Sequence, residues 1–199
     1  MFLLTKPDQK TVEQFLANCE HDSFSYPEIG ATRETGPSGY NIDHNRIRIG
    51  TGQDAFNRAK MAIRTWKMFE FNWVKLFYAD TPIEMGRNVA ILVKHFGFYS
   101  LSAARIVYVL DEKNGFQRFG FAYGTLTEHG EIGEERFSVE FHHANGEVWY
   151  DLYAFSRPGV LLAKAGYPLS RHLQKAFARD SKLAMLAAVS DLPASAPNF

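Results

Sequence analysis

Arg118-Phe119-Gly120-Phe121-Ala122-Tyr123-Gly124-Thr125 and Arg136-Phe137-Ser138-Val139-Glu140-Phe141-His142 both alternate along their length, with an aromatic or β-branched residue at every second position. A period of two puts one row of side chains on each face of an extended chain, so both stretches read as strands with one face against a core. Upstream, Ala104, Ile106, Tyr108 and Leu110 repeat the pattern, and Asn88–Lys94 adds a further strand. Phe69, Phe71, Trp73 and Phe77 alternate with Glu70, Asn72, Val74 and Tyr78, which predicts the start of the run. Residues 147–156 close it. The turns at 111–115 and at Ala144-Asn145-Gly146 are too short for a crossover, so the strands of 69–156 should pair antiparallel.

Helical periods flank this block. Pro7 suits the first turn of a helix over 7–20, with Val12, Phe15, Leu16 and Cys19 as its buried stripe. Cys19 then reads as core filling rather than as a nucleophile. Pro27, Gly30, Gly36, Pro37 and Gly39 mark a loop, with a short extended piece at Ile29–Thr32. Residues 40–67 predict a strand, Tyr40–Ile49, followed by a helix that Gly50-Thr51-Gly52 opens and Ala55, Phe56, Ala59, Ala62, Ile63 and Trp66 stripe. With no longer phosphate-loop pattern after it, Gly50-Thr51-Gly52 reads as a tight turn.

The last helix spans 159–189, restarted at Gly166-Tyr167-Pro168. Its apolar stripe is Leu169, Leu173, Phe177, Leu183, Ala184 and Ala187. Arg171, Lys175, Arg179 and Lys182 form a basic face that reads as solvated, and the tail from Pro193 reads as frayed. The order is helix, strand, helix, six strands, long helix, in one domain over 1–199. Such a sheet needs a cover, and the last helix is the only element large enough. The expected class is α+β of helix-grip type: a curved antiparallel sheet of about seven strands wrapped round a long C-terminal helix, with a cavity between them.

Composition limits the function classes. Lys plus Arg and Asp plus Glu both total 22, a balance that argues against a nucleic-acid partner. Aromatics reach 15%, led by 17 Phe, enough to fill a core and line a cavity. A single cysteine excludes an internal disulfide and leaves a reducing, cytoplasmic setting as the default. No apolar run approaches the ~18 residues of a transmembrane segment. The seven His show no metal-ligand spacing, so neither a metal nor another cofactor is expected. No nucleophile elbow is present either, which leaves the question of catalysis open.

Several strings carry a family resemblance. They include Ile49-Gly50-Thr51-Gly52 with Phe56 and Ala59, Trp66-Lys67-Met68-Phe69 with Trp73, and Arg105-Ile106-Val107-Tyr108. Phe121-Ala122-Tyr123-Gly124-Thr125-Leu126, Gly133-Glu134-Glu135-Arg136-Phe137, Phe155-Ser156-Arg157-Pro158 and Phe177-Ala178-Arg179-Asp180-Ser181 follow. Together they resemble the domain-of-unknown-function family nineteen-ninety of bacteria and plants, from about Tyr26 to Met185. The resemblance implies a single-domain protein and brings no established catalytic residues. Placement beside the birch-pollen-allergen and steroidogenic lipid-transfer superfamily rests on the element order alone.

The candidate site residues are ionisable or hydroxylated groups in apolar surroundings: Arg105, Tyr108, Tyr123, Glu135, Arg157 and Asp180. Glu135 shares strand parity with Phe137, Val139 and Phe141, and Tyr108 and Tyr123 share parity with apolar neighbours. Of Tyr150 and Tyr153, only one can point inward. One reading has Glu135 or Asp180 paired with Arg105, Arg136 or Arg157, pinning helix to sheet, because a buried carboxylate is costly alone. The other makes these groups the polar floor of an apolar pocket. The leading function is a non-enzymatic binder or carrier of an apolar or aromatic small molecule. The alternatives are a cyclase, isomerase or hydrolase using a buried carboxylate, and an interaction module on the basic helix face. No protein partner is indicated.

Overall fold

The computed structural model describes residues 1–127, 131–159 and 167–190. Its elements are β1 (Phe2–Leu3), α1 (Gln9–Asn18), β2 (Asn41–Thr51), α2 (Gly52–Arg64), β3 (Val74–Phe77), β4 (Asn88–Lys94), β5 (Tyr99–Lys113), β6 (Gln117–Thr125), β7 (Glu131–His142), β8 (Glu147–Pro158) and α3 (Tyr167–Val189). Seven strands form one antiparallel sheet in the order β2-β8-β7-β6-β5-β4-β3, and β1 pairs with the start of β5. The sheet curls into a half-barrel with α2 and α3 on its inner face, which is the helix-grip arrangement the sequence predicts. Among the described residues, no helix is long and apolar enough to cross a membrane.

The alternation in β6 and β7 survives intact. Phe119, Phe121, Tyr123, Phe137, Val139 and Phe141 all face inward, with Phe121 opposite Phe137 and Tyr123 opposite Glu135. Trp66, Phe69, Phe121, Phe137 and Phe177 stack and tilt against one another at ring separations of 4.7 to 5.6 Å. Much of the aromatic content is thus consumed in packing sheet against helices, where each pair adds ~1 kcal/mol beyond the area it buries.

The outer face is covered too, which the sequence reading did not foresee. Asp8 caps α1 by accepting from Thr11 N at 2.8 Å, so Pro7 lies just outside the helix. Val12, Phe15 and Cys19 then pack on Ala90, Leu92, Leu101 and Ala103 of β4 and β5. Further along, residues 24–33 lie across β5–β8. The expected extended piece at Ile29–Thr32 ends instead in a 3-10 turn, Ala31–Arg33, because Glu134 draws in the amides of Gly30 at 2.7 Å and Thr32 at 3.0 Å.

Three other expectations are corrected. The strand expected from Phe69 begins at Val74, after Trp66 leaves α2 with φ +56° and a 3-10 turn follows over Lys67–Phe69. Val74 and Leu76 face the inner core there, and Phe77 joins the outer cluster. In β5 a one-residue bulge at Val107 turns the strand over: Ile106 lies inward, but Tyr108 and Leu110 lie outward against Ala122. On α3 the buried stripe is Ala178, Ser181, Met185 and Val189, while Leu169 and Leu183 are exposed. The face turned to the sheet thus sets two small residues, Ala178 and Ser181, beside Met185 and Val189. Gly50-Thr51-Gly52 is the tight turn expected, with Gly52 at φ +84°. The part of the last helix expected over 160–166 and the tail from 193 lie outside the described residues.

Candidate functional site

The N-terminal half of α3 faces a polar section of the inner sheet. Asp43 and Asn45 of β2 share the inward row with Ile47, and Ser156 of β8 and Glu131 and Glu135 of β7 complete it. Arg171 donates both Nη atoms to Asp43, at 2.5 and 2.7 Å. Gln174 donates to Ser156 at 3.0 Å, Ser170 to Glu131, and Lys182 to Asn45 at 3.3 Å. Deeper in, the Tyr150 and Ser181 hydroxyls bond at 2.8 Å. The basic face expected to be solvated therefore divides: Arg171 and Lys182 fasten α3 to β2, and Lys175 and Arg179 point to solvent.

Glu135 lies behind this seam. Its carboxylate accepts from Tyr123 Oη at 2.8 Å, and among the described residues no cation comes within ion-pair distance. Burial pushes its pKa up to about 7; the Tyr123 hydrogen bond opposes that rise and the Asp43 charge adds to it. Burial beside Glu135 likewise holds the Tyr123 phenol well above its ordinary value. Residue 135 nevertheless keeps some accessible surface. Phe69 and Phe137 pack against the Tyr123 ring, at 6.3 and 5.2 Å. A carboxyl titrating near neutrality, beside a protonated phenol and an aromatic wall, can give or take a proton, or bind a ligand's polar end while the rings hold its apolar body.

The structure brings two of the six predicted residues together, Tyr123 and Glu135. Arg105 caps the end of α1, donating to the carbonyls of Cys19, Glu20 and Asp22 and to the Asn88 side chain. Tyr108, turned outward by the bulge, bonds Thr32 Oγ1 at 2.7 Å under the Arg33 guanidinium. Arg157 stacks over Tyr40 at 4.6 Å. Asp180 accepts from Arg179 and from Trp73 Nε1, and the Arg179 bond holds its pKa low. Neither carboxylate takes an arginine from the trio proposed: Arg136 pairs instead with Asp151 at 2.8 Å on the outer face. Tyr150 points inward and Tyr153 outward, where its hydroxyl receives Gly36 N. The reading missed Asp43 and took Arg171 as solvated, where it is bound to Asp43. Parity with Ile47 marked Asp43 as inward, but nothing in the sequence pairs it with a helix 128 residues away.

The outer face is an ionic lattice by comparison, in which Arg136 Nε stays buried without a hydrogen-bond partner among the described residues. Glu134 accepts from Tyr26 Oη, the amides of Gly30 and Thr32, and Thr32 Oγ1. Asp151 holds Arg136 and His44, and Glu140 holds Arg46 and Arg118. These groups tie the 24–33 segment and four strands together.

Residues 25–184 match the family model "Domain of unknown function (DUF1990)". A UPF0548 protein of Dictyostelium discoideum is 36% identical over 207 residues, covering 95% of this chain and 96% of the relative. A UPF0548 protein of Deinococcus radiodurans is 37% identical over 191 residues, covering 90% and 94%. Among solved structures, a hypothetical protein of Helicobacter pylori shares the fold at a TM-score of 0.50 and 13% identity, over 85% of this chain and 97% of that one. With its family model spanning most of the sequence and relatives aligned nearly end to end, this chain belongs to the DUF1990 (UPF0548) family.

Proposed function

We propose that the protein binds or carries an apolar or aromatic small molecule between the inner sheet and α3, with Glu135 and Tyr123 as the polar floor. The observation that carries this reading is Glu135: on the inner face, beside the aromatic wall of Phe69 and Phe137, it meets one phenol and, among the described residues, no cation. Arg105, Tyr108, Arg157 and Asp180 keep the contacts described above and are left out of the assignment.

Titration against a panel of apolar fluorophores and fatty acids tests it. Saturable one-to-one binding is expected. Ala154 sits opposite Glu135 on β8, so Ala154→Phe should fill the space and abolish binding while the protein stays folded. No saturable ligand in the panel, or binding untouched by Ala154→Phe, refutes the reading. The pKa of Glu135 near 7, beside the Tyr123 phenol, favours a second reading, a cyclase, isomerase or hydrolase that uses this carboxyl as acid or base. Glu135→Gln separates the two: it would abolish turnover with ligand binding retained in an enzyme, and would shift affinity alone in a carrier.

A further inference from the structure

The β4–β5 turn and β1 build an exposed apolar tip. Phe96 is 98% exposed, Leu4 86% and Phe2 59%. They form one feature: β1 runs along β5 with Leu3 opposite Tyr99, the Phe2 and Phe98 rings lie 5.9 Å apart, and the turn closes where His95 N donates to Phe98 O. Immediately behind the tip is an open groove of about 370 Å³ whose lining includes Lys6, Lys75, Lys94, Trp73 and Tyr99, and no carboxylate. None of the three lysines makes an ion pair among the described residues, although most of the protein's arginines do.

Large apolar side chains held in water at a turn, with lysines that make no ion pair one step behind and Lys75 resting over the Phe77 ring at 4.5 Å, match the layering of an anionic bilayer surface. In that layering an apolar tip enters the headgroup–acyl boundary, ammonium groups stay level with the phosphates, and Tyr99 is placed where an amphipathic ring suits the interface, while Trp73 is tied inward to Asp180. The geometry points to a membrane-docking tip: Phe96 and Leu4 insert into an anionic lipid surface, and Lys6, Lys75 and Lys94 bind its phosphates. Charge complementarity selects this occupant, since an uncharged apolar partner would leave three lysines beside a desolvated interface. The inference stands on residues that the proposed ligand site does not use.

Co-sedimentation of the full chain with phosphatidylcholine vesicles, with and without phosphatidylserine, tests it. Binding is expected to the phosphatidylserine vesicles and should fade as salt rises. Replacing all three lysines with alanine should lower partitioning about a hundredfold. Phe96→Ser should weaken it about tenfold or more with an unchanged melting temperature, because that side chain touches almost nothing in the fold. In Phe96→Trp, the new indole emission should shift blue on adding anionic vesicles. Equal binding to both vesicle types, no binding to either, or binding unaffected by Phe96→Ser overturns the proposal. So does concentration-dependent self-association abolished by Phe96→Ser, which would make the tip a contact between copies of this chain.

Discussion

Replacing Glu135 with glutamine should stabilise the protein, and only above acidic pH. The folded carboxyl titrates at about 7 against an ordinary value of 4.5, so between those two pH values the native state holds a proton that the unfolded chain has released. Stability therefore falls as pH rises through the window: the contribution is whole below 4.5 and gone above about 7. The ionised form costs about 3 kcal/mol, at ~1.4 kcal/mol for each tenfold change in proton affinity. Glutamine has nearly the same shape, keeps an oxygen for the Tyr123 hydroxyl and never ionises. At about pH 8 the variant should thus exceed wild type by about 3 kcal/mol, or roughly 6–12 °C in Tm for a chain of this length. At about pH 4.5 the two should nearly coincide. Urea unfolding of both proteins across that range reads the difference directly, and every other titrating group cancels in it. A difference that stays flat with pH, or glutamine the less stable at pH 8, would refute the account of Glu135 as a carboxylate held without a cationic partner.

Three further outcomes follow from neighbouring geometry. Asp151→Asn should cost about 3–5 kcal/mol in denaturant unfolding, because it leaves buried Arg136 without its ion pair. In wild type the same carboxylate is held below 3.8 by His44 and Arg136 despite its burial, so its contribution is present above that pH and lost as pH falls further. Gly124→Ala should destabilise by about 1–3 kcal/mol, since a Cβ there would overlap Tyr26 Oη, and the melting curve of Tyr26→Phe/Gly124→Ala should recover part of the loss. Arg171→Met should raise hydrogen exchange in the first turns of α3 and leave residues 181–189 protected, because the first half is fastened by polar bonds and the second by Met185 and Val189.

The sheet was legible wherever alternation ran unbroken. In β6 and β7 every inward residue is the one that parity names, and with Glu135 placed beside Phe137 its position opposite Tyr123 follows. Tyr108 was misplaced because parity assumes a regular strand, and a single extra residue at Val107 reverses every side chain beyond it. No residue type marks that bulge. The face of α3 was misread for a different reason. Hydropathy favoured Leu169 and Leu183, but the buried face includes Ala178 and Ser181, and a serine that bonds Tyr150 inside the core has no apolar signature. Arg171 with Asp43 and Arg105 with the end of α1 join positions far apart in sequence. Local periodicity carries no information about such pairs; only the closed fold does.

The case for Glu135 as a working group comes finally from its neighbours on the same strands. Glu134, Glu140 and Asp151 are each almost fully buried on the outer face, and each is compensated: Glu134 by two amides and two hydroxyls, Glu140 by Arg46 and Arg118, Asp151 by Arg136 and His44. The fold thus has abundant means of satisfying a carboxylate, and it uses them one residue away. On the inner face Arg171 is committed to Asp43, and among the described residues Glu135 meets a single phenol, at an energetic cost that glutamine would remove. Structural need does not explain a charge whose neutral isostere fits better. The ligand site proposed above would account for it: a molecule presenting a donor or a cation to that carboxyl would bring the compensation on binding, adding to affinity instead of to folding stability.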